Sequence, residues 1–142
     1  MKKTNALTPS LEDYLETILE LERKNRVARV KDIAGQLSVQ MPSVTGALKT
    51  LKARGLVEYE KNSFINLTAE GIVIAEGVLS KHHILVHFLS ETLNLSMEQS
   101  EKEACKIEHS ISTETADRFK KLHDWIQNMQ NNKNPAFQDY PL

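Results

Sequence analysis

A chain of 142 residues, 40% of them hydrophobic, fits one domain or a small domain joined to a dimerisation part, and its core would be small enough for oligomerisation to help. Uninterrupted runs fall short of the roughly 18 apolar residues of a membrane span, and Met1-Lys2-Lys3-Thr4-Asn5 leads into a polar helix pattern rather than a signal peptide. A single cysteine excludes an internal disulfide framework and suits a reducing cytoplasm.

The net charge of −1 is unevenly spread. Residues 23–61 carry nine Lys/Arg against Asp32, Glu58 and Glu60, a balance of +6, whereas residues 1–22 sum to −3 and residues 62–142 to −4. A basic middle between acidic ends is the electrostatic footprint of a phosphate-binding module beside a cation-binding or solvated part. Ordinary variation of surface charge is the alternative.

Thr8-Pro9-Ser10 opens the first predicted helix, with Thr8 or Ser10 as cap and proline in the first turn. Leu11, Leu15, Ile18 and Leu19 give it an amphipathic stripe to about Arg23. Val30, Ile33, Ala34 and Leu37 form a second stripe, Ser38 to Met41 a tight turn, and Val44, Ala47, Leu48 and Leu51 a third stripe that stops at Gly55. Two short helices joined by a few residues are the helix-turn-helix pattern. Leu56 to Glu60 and Phe64 to Leu67 then read as a hairpin wing around Lys61-Asn62-Ser63.

Thr68 caps a long helix with Ile72, Val78, Leu79, Leu85, Val86 and Leu89. Asn94-Leu95 breaks it, and Ser96 with Gln99 forms a capping box for the next helix. Ser112 or Thr113 starts a last helix with Phe119, Leu122, Trp125, Ile126 and Met129 on one side, and an irregular tail follows from Gln130. The fold class is therefore mainly α: a winged helix-turn-helix domain over residues 1–72, then a helical metal-binding and dimerisation domain over 73–142.

In a helix-turn-helix the second helix enters the major groove and its N-terminal residues meet base edges. Here that helix begins near Pro42. Outside its apolar stripe lie Ser43, Thr45, Gly46, Lys49, Thr50 and Lys52. Small polar residues early in the helix allow close approach to bases, and the later lysines suit phosphates. Gln40 in the turn reaches an adenine edge or a phosphate, and Lys61 at the wing tip meets the DNA backbone. The alternative is a winged helix used for protein contacts.

Cys105-Lys106-Ile107-Glu108-His109 places three metal-binding side chains at i, i+3 and i+4, one face of a helix. Thiolate, carboxylate and imidazole suit a mid-to-late first-row divalent ion rather than calcium or magnesium. Three donors from one segment do not close a site, and Asp13, Glu16 and His82 are further candidates. Each has an ordinary explanation: solvated acids near a helix N-terminus for the first two, a satisfied core histidine for His82, and a small buried hydrophobe for Cys105. His83, His87 and His123 read as surface residues.

Taken together, Ser10-Leu11-Glu12-Asp13-Tyr14-Leu15-Glu16, Val30-Lys31-Asp32-Ile33-Ala34, Ser43-Val44-Thr45, Gly55-Leu56-Val57, Leu67-Thr68-Ala69-Glu70-Gly71, His82 ahead of Phe88-Leu89, and Cys105-x-x-Glu108-His109 resemble the diphtheria-toxin-repressor family of metal-dependent transcriptional regulators. The likeness runs to about residue 129 and is greatest to the compact branch with the manganese-transport repressors. It implies a homodimer that binds palindromic operator DNA when loaded with divalent metal, and a cytoplasmic repressor of transition-metal uptake rather than an enzyme. It also implies that the SH3-like third domain of longer members is absent. Asp13, Glu16, His82, Glu108 and His109 match the ligand pattern of the manganese branch. Cys105 departs from it, since that branch has a carboxylate there; the iron branch has cysteine, but methionine in place of Asp13 and glutamate in place of Val86. Thiolate favours iron or zinc over manganese, so the effector is manganese, iron or zinc. The competing functions are a metal-independent winged-helix regulator of an organic ligand and a metal storage or trafficking protein.

Overall fold

The computed structural model describes residues 6–139 and 141–142, so the reading of Met1 to Asn5 lies outside the described residues. The chain divides into two compact units at Val78/Leu79.

In the first unit, α1 spans Pro9–Asn25. Thr8 is its cap, its hydroxyl accepting from Leu11 N at 3.2 Å. Helices α2 (Val30–Leu37) and α3 (Met41–Ala53) follow, joined through Ser38 at φ 54. Their stripes make the core: Leu15, Ile18, Ile33, Val44, Leu48 and Leu51 have no exposed surface. The wing is shorter than its sequence suggests. Strands β1 (Val57–Glu58) and β2 (Asn66–Leu67) pair antiparallel, and Ile65 instead bridges Ala28, donating its N–H to the Ala28 carbonyl at 2.9 Å. Asn62 at φ 65 turns the tip.

Gly71, in the first turn of α4 (Ala69–His87), stands where only glycine fits: a Cβ there would lie 2.0 Å from the Leu56 carbonyl oxygen. Thr68 ties this junction, donating to the Gly55 carbonyl at 2.7 Å and accepting from Gly71 N at 3.1 Å.

In the second unit, α4 continues into a π-helical turn, Phe88–Thr92. Helices α5 (Met97–Ile107) and α6 (Thr113–Asn131) follow, then a 3₁₀ turn at Pro135–Phe137. Ser96 caps α5 through Gln99 N, but the Gln99 side chain turns to Glu103, so the reciprocal half of the capping box is not made. Leu85, Val86, Leu89 and Ala104 form the core, with Ile107, Ile111 and Phe119 packed around it. Along α6, Leu122 and Trp125 are exposed and Ile126 is buried. The exposed Lys120 donates to Asp124 and holds its carboxyl below the ordinary range.

Among the described residues, Ala69–Thr92 is long and apolar enough to cross a membrane by length and composition. That qualifies the expectation that nothing here could span one. Buried Val78, Leu79, Leu85, Val86, Phe88 and Leu89 account for much of this apolar content, and the helix also carries Glu70, Glu76, Lys81 and His82.

Candidate metal centre and nucleic-acid interface

His82 is buried on α4, at 8% exposure, and its ring faces polar side chains from α5 and its C-cap. Its Nδ1 lies 2.6 Å from Glu108 Oε2, its Nε2 lies 2.8 Å from Glu101 Oε2, and Cys105 Sγ lies 3.8 Å from Nδ1. Glu101, Cys105 and Glu108 stand at i, i+4 and i+7, one face of the helix. Donor atoms of His82, Cys105 and Glu108 all fall within 4.8 Å of one another.

Glu108 has no exposed surface. Its Oε2 meets His82, whereas Oε1 is buried without a hydrogen bond, with His109 Nε2 3.4 Å away. A buried carboxylate oxygen left unsatisfied costs free energy that a cation would recover. The donor set of imidazole, thiolate and carboxylate, with one orphaned oxygen, therefore fits a divalent transition metal.

Two expectations need correction. Helix α5 ends at Ile107, with Glu108 still in helical conformation as its cap, so His109 sits in the following turn and not at a helical i+4 position. Cys105 is exposed, which speaks against the alternative of a small buried hydrophobe. Sequence spacing did not single out Glu101, although its position four residues before Cys105 was the available signal. His123, expected at the surface, is buried; His83 and His87 are exposed as expected. Asp13 and Glu16 lie half-buried on α1, in the first unit.

On that unit α3 presents the expected surface. Gln40 is its N-cap residue, and Gln40, Pro42, Ser43, Gly46, Lys49, Thr50 and Lys52 are exposed, as is Lys61 at the wing tip. Thr45 is half-buried, with its hydroxyl donating back to the Pro42 carbonyl at 3.0 Å. The exposed Lys52 ammonium also donates to the Tyr59 carbonyl at 2.8 Å, linking the wing to α3. Arg29, which no sequence pattern singled out as part of this surface, lies 5.1 Å over the Phe64 ring, a cation–π contact. A cavity of about 310 Å³ beside it is lined by Arg29, Met41, Thr45, Lys61 and Phe64.

Residues 6–64 match the N-terminal DNA binding domain of the iron dependent repressor, and residues 68–133 match its metal binding and dimerisation domain. The chain belongs to this family. It is a family of transcriptional regulators, not enzymes, and the resemblance to the diphtheria-toxin repressors stands. An HTH-type transcriptional regulator of Methanocaldococcus jannaschii is 38% identical over 80% of this chain and 92% of its own length. The regulator MntR of Geobacillus kaustophilus is 36% identical over 84% of both chains. Among solved structures, the manganese regulator SloR superposes with a TM-score of 0.73 at 32% identity, over 84% of this chain and 55% of SloR. This iron-dependent-repressor chain thus spans about half the length of that neighbour.

Proposed function

We propose that this chain is a metal-dependent repressor of transition-metal homeostasis genes, binding palindromic operator DNA as a homodimer in the cytoplasm of a prokaryotic cell. The observation that carries the reading is the His82–Cys105–Glu108 cluster with the buried, unsatisfied Glu108 Oε1. We assign Asp13, Glu16 and His109 as further metal-ligand candidates. Support for these three comes from the ligand pattern of the manganese branch. Bound there, the ion supplies a Lewis acid that fixes deprotonated ligands in one arrangement.

Residue chemistry divides the remaining roles. Ser43 and Thr45 stand where α3 would meet base edges, and Lys49 and Lys61 where phosphates would pass. The thiolate of Cys105 moves metal preference from manganese towards iron or zinc.

The test is reciprocal linkage. Metal should raise operator affinity, and operator should raise metal affinity by the same factor. Fluorescence anisotropy with the operator, with and without manganese, iron and zinc, measures one side, and chelator competition with and without operator measures the other. Equal metal affinity in both conditions would sink the proposal.

A further inference from the structure

The π-helical turn and α6 build a second cluster, away from His82. His87 and Glu91 stand four apart, and Glu91 spreads its two oxygens between two imidazoles: His87 Nδ1 lies 2.9 Å from Oε1, and His123 Nε2 lies 3.1 Å from Oε2. Thr92 Oγ1 holds the other nitrogen of His123, Nδ1, at 2.7 Å in a buried contact. The His87 and His123 rings lie 6.5 Å apart between centroids.

We propose that His87, Glu91 and His123 form a second divalent-metal site, of the zinc class, that ties the π-helical turn to α6.

Three features of this cluster point to a metal. Two imidazoles and one carboxylate, with a position left for water, are an established zinc donor set, and imidazole also suits cobalt, nickel and copper. Metal-bound histidines are held by a hydrogen bond on their second nitrogen, and Thr92 gives His123 that bond. A hydroxyl both donates and accepts. Thr92 can therefore serve the tautomer that points N–H at Glu91 and equally the one that frees Nε2 for a metal. Finally, π turns recur at functional sites, and this one places Glu91 and Thr92 together against His123.

The site has to close to hold an ion, because the donor atoms of His87, Glu91 and His123 do not yet fall within 4.8 Å of one another as those of His82, Cys105 and Glu108 do. A tetrahedral ion with bonds of about 2.0–2.1 Å sets two imidazole centroids roughly 5 Å apart. The His87 side chain is 60% exposed and can close the difference by rotation, while His123 is 11% exposed and stays fixed. The carboxylate is already the anion a metal needs, because the His87 hydrogen bond holds the Glu91 carboxyl below its ordinary range. Donor chemistry separates this site from the first. Lacking a thiolate and holding two imidazoles, it follows the Irving–Williams order and discriminates strongly against manganese.

Zinc titration of the full chain against a chromophoric chelator tests this, with bound metal counted by mass spectrometry. The wild type should hold one more tight equivalent per chain than His87→Ala. Glu91→Gln should weaken that equivalent by about tenfold or more. Zinc should shift the His123 ring resonances in the wild type and leave them unmoved in His87→Ala. His87 and Glu91 are exposed, so both variants should retain the wild-type circular dichroism. If both variants bind as many equivalents as the wild type, with the same affinity, the site does not exist.

Discussion

Glu108 Oε2 lies 2.6 Å from His82 Nδ1, and the same carboxylate keeps its Oε1 buried without a hydrogen bond. One residue thus orients the imidazole and leaves an acceptor for something positively charged. Glu108→Gln keeps the volume and removes the charge. Metal affinity should fall about tenfold or more, while the metal-free thermal midpoint moves by only a few degrees. Chelator competition and calorimetry on the same samples separate the two. An unaltered metal affinity would make Glu108 a buried structural acid.

In the proposed reading, Cys105 decides which metals are accepted. Cobalt-substituted protein should show a thiolate-to-metal charge-transfer band, lost in Cys105→Ser. Cys105→Glu should turn the preference towards manganese by hardening the donor set. Absence of the band in the wild type, with metal preference unchanged in Cys105→Ser, would remove the thiolate from the site.

The two lysines of α3 should behave differently. Lys49 is exposed with its charge directed to DNA in the proposed reading, so Lys49→Ala should flatten the salt dependence of operator binding by about 0.9 in log–log slope. Lys52 fastens the wing through the Tyr59 carbonyl. Lys52→Ala should therefore lower stability by about 0.5–1.5 kcal/mol and loosen the hairpin, seen as faster amide exchange at Tyr59 to Phe64. Equal salt slopes in wild type and Lys49→Ala would place Lys49 off the phosphates.

Gly71 has no room for a side chain. Gly71→Ala would drive a Cβ to 2.0 Å from the Leu56 carbonyl oxygen, a backbone atom that cannot swing away. The expected cost is about 1–3 kcal/mol, read as a lower denaturant midpoint. An unchanged midpoint would mean that the strand and helix junction is free to open.

Much of this protein could be read directly from its residues, because the information is local. Leu11, Leu15, Ile18 and Leu19 repeat at helical spacing, Thr8 and Ser96 cap the helices they precede, and Pro42 sits in the first turn of α3. Periodicity and capping act within one or two turns, so the helical elements and the helix-turn-helix followed from the chain alone. The Cys105–Glu108 spacing likewise put a thiol and a carboxylate on one side of α5, where both meet His82. The stop at Ile107 did not follow, since neither glycine nor proline marks it. Nor did the wing length: Ile65 left the hairpin to bridge Ala28, a partner 37 positions away in the sequence. His82 facing Glu101 and Glu108, and His123 closing on Glu91 and Thr92, join residues from 19 to 32 positions apart. Such meetings depend on how α4, α5 and α6 pack around Leu85, Leu89 and Ala104 and on the extra residue of the π turn. Side-chain direction along one helix is fixed by its own period; convergence between helices is fixed only by the core they share.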